Sequence, residues 1–434
     1  MAYFGIVAGS ILACMAFVNM FVISSVAFRH SIGKRKSYQL GAEEWQQRLN
    51  TAQLRFRALD SERRYWAGKR KFNVVKKVFE NRANSICSFY LYPHDLKPLP
   101  AYRPGQFIVL CLNIPDPDDH QIIDEENRCY SLSDASNSEY YRVSIRGVPA
   151  PMVNSEIYPP GLVSNYMHEQ VNEQDLIDVQ APSGDFFLDT SQNHPVVLIA
   201  GGVGVTPILS MLKTLATEQS SREIWVLYGV RNSDDLAFET EFQESLETLE
   251  QLRIYVIYSD VMPDDCDNSN DRMQHEFGYA DISRLQSILP CNNYEYYICG
   301  PGPMMTALRH GLLDWGVPDR DIKYEQFTPE RPSPQSDALV STDQGHVFSV
   351  SFSISKKTFK WSSEKSIYAL SRSKKFKTNR IKYSCKQGKC GSCMTAVKSG
   401  SVEYPDIQPS FPNLVNGSCL PCICVPSSDI HLEA

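Results

Sequence analysis

The sequence predicts a multidomain protein with an N-terminal transmembrane helix, an antiparallel β-barrel, an α/β domain with a parallel sheet and a small C-terminal α+β domain. Three observations support this prediction. An uncharged apolar segment lies at the start of the chain. Strands of alternating polarity then give way to apolar strands that alternate with helical segments. Finally, six of the 13 cysteines cluster near the C-terminus.

Length and composition support a globular protein of several domains. A chain of 434 residues exceeds one typical hydrophobic core and suggests about three domains. Aromatic residues make up 11% of the chain and charged residues 21%, which argues against disorder. The net charge of −7 gives no reason to expect a nucleic-acid partner.

Residues 1–30 are predicted to form a membrane anchor. No charged residue occurs from Tyr3 to Phe28, a length that can span a bilayer as a helix. Basic residues follow at Arg29 and at Lys34–Lys36, and this asymmetry places the carboxyl side in the cytoplasm. A cleavable signal peptide is the alternative, but it would need a basic region ahead of the apolar stretch. We therefore expect a single-pass protein of the inner, or cytoplasmic, membrane, with its other domains facing the cytoplasm.

Residues 31–70 are predicted to form a charged juxtamembrane stalk. Apolar residues recur there near helical spacing, at Trp45, Leu49, Ala52 and Phe56. A helix at the membrane interface is the default interpretation, and a helix that docks a dedicated partner is the alternative.

Three folded segments follow the stalk. Residues 71–190 contain short alternating strands between turn residues, which favours an antiparallel barrel. Residues 191–327 contain apolar strands separated by helical stretches, which is typical of a parallel sheet with crossover helices. A proline-rich linker at 328–344 precedes the last domain, residues 345–434.

The last domain carries a cysteine pattern typical of an iron–sulfur cluster. Cys385, Cys390 and Cys393 have the C-x₄-C-x₂-C spacing of plant-type [2Fe–2S] sites. Three later cysteines compete for the fourth position: Cys419, Cys422 and Cys424. A structural zinc site and a disulfide cluster are the alternatives, but zinc sites favour C-x₂-C pairs. The clustering favours metal ligation in a reducing compartment.

Two other strings carry residues suited to bind cofactors. In Arg128-Cys-Tyr130-Ser131 the ring can stack on an isoalloxazine, the hydroxyl can bond a flavin nitrogen and the guanidinium can bind a phosphate. Later, Gly201-Gly202-Val-Gly204-Val-Thr206-Pro207 follows an apolar strand and opens a helix. Glycines at such a point permit close approach of a pyrophosphate to the helix N-terminus.

Taken together, these strings resemble those of the ferredoxin–NADP reductase superfamily. Its flavin motif has the form R-x-Y-S, and the chain also matches its P-G-Q-[FY] turn at Pro104–Phe107 and its G-x-x-S segment at Gly161–Ser164. The run Cys299-Gly300-Pro301 matches the superfamily's second nucleotide-binding segment. The order of domains resembles phthalate dioxygenase reductase and hybrid-cluster-protein reductases, and the likeness extends over residues 72–434.

The resemblance implies roles for individual residues. A flavin, FAD rather than FMN because of the G-x-x-S segment, would be held by Arg128, Tyr130, Ser131, Gly161, Val163 and Ser164. A nicotinamide nucleotide would be held by Gly201, Gly202, Gly204, Thr206, Pro207, Cys299, Gly300 and Pro301. The tail that begins at Cys422 resembles the end of plant-type ferredoxins, which implies a β-grasp fold and makes Cys422 the fourth cluster ligand.

Three residues are predicted to lie near the site of hydride transfer. Cys299 would shape the nicotinamide pocket, and a buried structural cysteine is the alternative. Phe327 would cover the flavin face that nicotinamide must reach, with Glu325 nearby as a proton or hydrogen-bond partner, and a core phenylalanine is the alternative. Where NADP-preferring relatives carry a Ser-Arg pair, Asp260 would repel a 2′-phosphate and favour NADH, although Arg231 could still bind one.

The predicted function is that of an oxidoreductase that passes electrons from NADH to FAD, to the [2Fe–2S] cluster and then to an external acceptor. An oxygenase, hydroxylase or desaturase near the membrane is the first hypothesis for that acceptor. A respiratory-type component that reduces quinone, or a subunit of a larger membrane redox complex, is the alternative. A redox-sensing interaction module is a third possibility, but it would require a defective nucleotide site, which the glycine strings do not indicate.

Overall fold

The computed structural model of the chain describes a barrel, an α/β domain and a small mixed-sheet domain. The described residues are 66, 68–115, 123–150, 152–153, 156–157, 159–263, 270–327, 348–361, 367–371, 381–405, 409, 411 and 414–434. The predicted anchor, the predicted linker and nearly all of the predicted stalk lie outside these ranges. Within them, no helix combines the length and the apolar character needed to cross a membrane.

The first domain is a six-stranded antiparallel barrel, as predicted. Its strands are β1 (Lys69–Phe79), β2 (Ile86–Pro93), β3 (Phe107–Pro115), β4 (Ile123–Ser131), β5 (Tyr141–Arg146) and β8 (Leu176–Ser183). They lie in the order β4-β3-β8-β1-β2-β5, and a bridge between Leu132 and Val143 joins the two edges. Between β5 and β8 lie β6 (Met152–Val153), β7 (Glu156–Ile157) and helix α1 (Leu162–Glu169).

Alternating apolar residues explain why these strands close around a core. Phe72 and Val74 of β1 are fully buried, as is Leu91 of β2, which pairs with Val74 across the ladder. Trp66 precedes β1, and its ring lies 5.8 Å from that of Phe72 and 6.4 Å from that of Tyr141. The packed barrel therefore extends back to this tryptophan.

The second domain has a parallel six-stranded sheet, again as predicted. Its strands are β9 (Val196–Gly201), β10 (Ile224–Val230), β11 (Leu252–Tyr258), β12 (Met273–Phe277), β13 (Glu295–Cys299) and β14 (Ile322–Glu325), in the order β12-β11-β10-β9-β13-β14. Its helices are α2 (Val205–Thr217), α3 (Glu239–Thr248), α4 (Ile282–Ile288) and α5 (Gly302–Asp314). Separate apolar cores cover its two faces. The strand order reverses between β9 and β13, where ligands commonly bind in such sheets.

The last domain is α+β, with a small mixed sheet. Its strands β15 (Ser349–Phe352), β16 (Lys357–Lys360), β17 (Thr395–Ser399), β19 (Ser418–Cys419) and β21 (Ile430–Leu432) lie in the order β16-β15-β21-β17-β19. Only β15 and β21 pair in parallel among these described strands. Helix α6 (Ile367–Ser371) and the pair β18 (Val402–Glu403) and β20 (Val425–Pro426) complete the described part.

A buried ion-pair network joins the barrel to the α/β domain. Arg142 of β5 is 1% exposed and lies 3.0 Å from Glu241 of α3 and 3.7 Å from Asp134. Lys213 of α2 lies 2.8 Å from the same Asp134. Burying charged groups costs several kcal/mol per ion unless they are paired. The network therefore holds these two domains in one arrangement.

Replacing Arg142 by methionine is expected to lower the free energy of unfolding by about 3–5 kcal/mol, because the change removes one partner of a buried ion pair. The matched control is Lys71→Met, which removes an exposed pair with Asp178 at 3.1 Å. That pair should contribute no more than about 1 kcal/mol. Urea unfolding measures both variants, and equal losses would contradict this account of the network.

Candidate functional site

The cysteine loop of the last domain is shaped by two glycines and by backbone hydrogen bonds to sulfur. Gly388 and Gly391 have φ of +71° and +68°, and a Cβ on either would collide with the side chain of Ile423 or Phe411. The amides of Gln387 and Lys389 each donate to Cys385 Sγ at 3.4 Å, and the Cys385 amide donates to Cys390 Sγ at 3.5 Å. The loop thus directs amides towards its sulfurs, an arrangement that suits thiolate ligands.

Four thiols of this domain form two pairs, which fits a dinuclear cluster. Cys385 and Cys390 make one pair, and Cys393 Sγ lies 3.2 Å from Cys422 Sγ in the other. Each iron of a [2Fe–2S] cluster takes two thiolates beside its two bridging sulfides. The geometry therefore favours iron–sulfur over zinc.

The same geometry discriminates among the three candidates for the fourth ligand. Cys419 and Cys424 are 0% and 1% exposed, belong to the domain core and hydrogen-bond with each other. Cys422 is partly exposed and is the candidate in contact with Cys393. All cysteines that the structure describes are free thiols, so no disulfide is formed among them.

The predicted flavin motif lies at the end of β4. The hydroxyl of Ser131 and Asn127 Oδ1 are buried and make no hydrogen bond of ordinary geometry with the described residues, although the hydroxyl lies near enough to Glu325 to lower the pKa of that carboxyl group. Buried polar groups of this kind are normally satisfied, so these two atoms fit the edge of a polar cofactor. Burial raises the pKa of Tyr130. Gly161 is the N-cap of α1, where Ser164 Oγ donates to the Gly161 carbonyl at 3.2 Å, and Val163 beside it is buried.

Arg128 of the flavin motif contacts the last domain. Its guanidinium donates to the Tyr383 hydroxyl at 2.6 Å and lies 4.3 Å from the centroid of that ring. Its other described bonds go to Glu126 and to the Asn127 carbonyl. Arg128 therefore connects the flavin motif with the residues just before Cys385.

The two predicted nucleotide-binding strings pack directly on each other. A Cβ on Gly204 would collide with the carbonyl of Cys299, and one on Gly201 would lie 2.7 Å from Pro301. Gly202 has φ of +53° and opens a 3₁₀ turn that leads into α2. Thr206 Oγ1 donates to the Val203 carbonyl at 3.2 Å in the first turn of that helix, and both Thr206 and Pro207 are buried. The glycines are thus required by close backbone approach at the helix N-terminus, the geometry of a diphosphate cradle.

A cleft of about 670 Å³ opens beside this cradle, between the α/β domain and the barrel. Gly201, Gly202 and Pro301 line it, and so does Arg231. Arg231 is paired with Asp235 at 2.7 Å, and this bond raises the pKa of the arginine. Asp260 is exposed next to the cleft, and its amide donates to the Arg231 carbonyl at 2.9 Å.

The cleft also contains an arginine that the sequence analysis missed. Arg146 is the last residue of β5 in the barrel, and a Cβ built on Gly202 would lie 3.8 Å from its guanidinium. A cation over a glycine cradle suits a diphosphate. The signal available in the sequence was one of two arginines in a short strand, which is too common to indicate a function.

Glu325 lies where the cofactor motifs meet. It is 6% exposed at the end of β14, opposite Cys299 in the ladder, and its Oε2 has no hydrogen-bond partner among the described residues. Burial raises its pKa to about 7, nearby Cys385 adds to the rise, and Lys389 and the Ser131 hydroxyl oppose it. One carboxyl group is therefore close to the flavin motif, the nucleotide string and the cysteine loop.

The neighbours of Glu325 differ in exposure. The Cys299 thiol is 0% exposed and packs in the sheet core, and burial raises its pKa well above the usual value. Phe327 is 44% exposed, unlike a core phenylalanine. Gln326 lies between Glu325 and Phe327 in the sequence. Its backbone carbonyl accepts a hydrogen bond from the side-chain amide of Gln387, in the cysteine loop, at 2.7 Å.

Two family models match the chain. Residues 198–310 match the oxidoreductase NAD-binding domain, and residues 362–427 match the 2Fe-2S iron-sulfur cluster binding domain. Curated relatives are flavohemoproteins. The flavohemoprotein of Bacillus thuringiensis subsp. konkukian (strain 97-27) is 38% identical over 267 residues. The match covers 61% of this chain and 62% of that protein. That of Bacillus subtilis (strain 168) is 34% identical over 271 residues. The chain spans about three-fifths of the length of these relatives.

Two solved structures extend the comparison. The FAD/NAD-binding domain of nitric oxide dioxygenase from Vibrio cholerae O1 biovar El Tor is 34% identical, with a TM-score of 0.51, and the match covers 60% of this chain and 99% of that one. Phthalate dioxygenase reductase is 23% identical, with a TM-score of 0.50, and the match covers 85% of this chain and 98% of that one. This second likeness concerns the fold alone, and it covers most of the chain.

These matches agree with the predicted cofactors, which are a flavin of the FAD type, a nicotinamide nucleotide and a [2Fe–2S] cluster. They also confirm that the protein is an oxidoreductase. The chain belongs to the ferredoxin–NADP reductase superfamily, as a member whose flavin-binding barrel and NAD-binding domain are followed by a [2Fe–2S] domain.

Proposed function

We propose that the chain is a membrane-anchored, NADH-dependent reductase that supplies electrons to an external oxygenase, hydroxylase or desaturase. The observation that carries this proposal is the convergence of the three cofactor motifs on Glu325. When bound to these residues, FAD would supply the chemistry of hydride transfer from NADH, and a [2Fe–2S] cluster would supply single-electron transfer. Phthalate dioxygenase reductase, which shares the fold, is described as a modular structure for electron transfer from pyridine nucleotides to [2Fe-2S].

The residues around the cleft support NADH as the donor. The glycine cradle and Arg146 would hold the diphosphate. Asp235 neutralises Arg231, the residue best placed to bind a 2′-phosphate, and Asp260 adds a second carboxylate beside it. Carboxylates repel a phosphate and can accept a bond from a ribose hydroxyl, so this end of the cleft favours NADH over NADPH.

The residues at the carboxyl end of β14 would order the flavin and exclude water from it. Ser131 offers its buried hydroxyl, and the exposed ring of Phe327 could cover an isoalloxazine face. Glu325, with its pKa near 7, would keep a proton at its carboxyl group and donate a hydrogen bond into this buried space. The apolar stretch within residues 1–30 would hold these domains at the cytoplasmic membrane surface.

Anaerobic reduction of the detergent-solubilised full chain tests the proposal. NADH should bleach the flavin absorbance and then give the rhombic electron paramagnetic resonance signal of a reduced [2Fe–2S] cluster. NADPH should do so at least tenfold more slowly at equal concentration, because of Asp235 and Asp260. Flavin bleaching without a cluster signal would contradict the assignment of the four cysteine ligands.

Arg146→Ala should weaken NADH binding about tenfold to a hundredfold, since a hydrogen bond to a charged group contributes about 1.5–3 kcal/mol. The matched control is Arg82→Ala, an exposed arginine of the same barrel that is not part of this cleft. Stopped-flow flavin reduction at varied NADH concentration gives both dissociation constants. The proposal for Arg146 fails if the two variants bind NADH alike.

Glu325→Gln should remove a pH dependence of stability. Because the folded-state pKa of Glu325 is raised to about 7, the folded chain binds more protons than the unfolded chain above about pH 4.5. Its stability should therefore fall as pH rises towards 7, by about 3 kcal/mol in all. The glutamine variant should lack this fall, whereas the exposed Glu403→Gln control should keep it. Urea unfolding at pH 5 to 8 measures the difference, and parallel curves for the wild type and Glu325→Gln would refute it.

A further inference from the structure

We propose that Tyr383 is a positioning residue, which docks the last domain on Arg128 of the barrel and thereby sets the rate of electron transfer from flavin to cluster. This inference rests on the proposed function, because it assumes a flavin at the R-x-Y-S motif and a [2Fe–2S] cluster in the cysteine loop. Tyr383 lies two residues before Cys385, the first proposed ligand. A contact that fixes its ring therefore fixes the start of the cysteine loop.

The ring of Tyr383 is held from both domains. On the barrel side, the guanidinium of Arg128 lies 4.3 Å from the ring centroid and donates to the hydroxyl at 2.6 Å. On the side of the last domain, Lys386 Nζ lies 4.8 Å from the same centroid, and the ring of Tyr368 lies 4.7 Å away. A cation over an aromatic face is attractive, more so where water is excluded. Since tyrosine and arginine dominate the energetics of many interfaces, this pair has the character of an anchor.

The position of Arg128 links this contact to the flavin site. It is the first residue of the flavin motif on β4. From Nη1 it also donates to Glu126 at 3.1 Å and to the Asn127 carbonyl at 2.7 Å. A guanidinium has five N–H groups, so these bonds and the bond to Tyr383 do not prevent it from binding a phosphate. One side chain of the flavin motif thus contacts the segment that leads into the cysteine loop.

The cysteine loop covers an apolar patch on the outer face of the barrel. Three alternate residues of β3 form one buried cluster with a proposed ligand of the loop: Phe107, Val109, Cys111 and Cys390. The three β3 residues are at most 6% exposed, although the residues between them are the ones that pack in the barrel core. Beside the patch, the Ser384 hydroxyl donates to Cys129 Sγ at 3.0 Å. The docked loop therefore keeps water away from this face of β3.

Two polar contacts at the edge of this interface fix the orientation of the loop. Lys382 lies 2.7 Å from Glu125 of β4. The side-chain amide of Gln387 donates to the Gln326 carbonyl at 2.7 Å. Partly exposed ion pairs such as the first contribute little energy. The docked position should therefore depend most on the anchor at Tyr383.

Docking matters because the rate of electron transfer falls steeply with the distance between donor and acceptor. In each transfer one electron passes from the reduced flavin to the oxidised cluster, and no covalent bond forms. Once the cluster has passed that electron to the acceptor, a second transfer returns the flavin to its oxidised state, and the proton that came with the hydride leaves for water. Loosening Tyr383 would lengthen the path from flavin to cluster and leave the NADH cleft as it is.

Stopped-flow reduction of the full chain by NADH, with freeze-quench electron paramagnetic resonance, tests the kinetic role. Tyr383→Ala should slow the appearance of the reduced-cluster signal about tenfold, because it removes the hydrogen bond and the cation–π contact, while the flavin bleaches at the wild-type rate. Tyr383→Phe keeps the ring and should lose no more than about threefold. The matched control is Tyr255→Ala, a half-buried tyrosine stacked on Trp225 at 6.1 Å, which should leave both rates unchanged.

Thiol labelling of the full chain measures docking itself, with or without cofactors. Cys111 is buried under the docked loop, so Tyr383→Ala should react with N-ethylmaleimide at Cys111 about tenfold faster than wild type. Cys87, in the barrel core, is the internal control and should stay unreactive in both proteins. Peptide mass spectrometry gives the two labelling rates separately.

The outcomes separate this inference from the proposed function. A wild-type chain with no NADH-reducible cluster would refute the proposed function, and labelling would then decide the docking role alone. Unchanged labelling of Cys111 in Tyr383→Ala would overturn the docking role, whether or not that variant takes up a cluster. Faster labelling together with an unchanged rate of cluster reduction would overturn the kinetic role.

Discussion

The burial of the Arg142 guanidinium between two domains is the constraint on which the nucleotide cleft depends. Its partners Asp134 and Glu241 come from opposite sides of the interface, and its planar group also lies 5.5 Å from the ring of Phe238 in the α/β domain. A charge this deep is stable only while all of these groups stay in place. The network therefore fixes β5 against the second domain.

Fixing β5 has a direct effect on the site. Arg142 and Arg146 lie four residues apart on one strand, so their side chains point to the same side of the sheet. When the first is held among the acidic groups, the second lies at the edge of the glycine cradle near Gly202. One strand of the barrel thus supplies both the interdomain bond and a cation for the nucleotide cleft, although neither role involves the barrel's own core.

Sequence patterns predicted the three folds well, because each depends on local periodicity and turn residues. The glycine string and the C-x₄-C-x₂-C loop were also visible, since short segments shape their backbones. The contact between Arg128 and Tyr383 was not predictable, because nothing in R-x-Y-S tells which domain the arginine will face. The burial of Cys299 was not predictable for a similar reason, because the last residue of a strand can direct its side chain to either face of the sheet. Arg146 acquires its neighbours only through domain packing.

The ion pair between Glu125 and Lys382 has a consequence for how the chain is assembled. The two residues lie 257 positions apart in sequence, and Glu125 also bonds to Lys69 at the start of β1. Contacts of such long range form late in folding, and domains of a growing chain fold in the order of their synthesis. The barrel, with Glu125 already held by Lys69, therefore offers a finished docking surface before the cysteine loop leaves the ribosome.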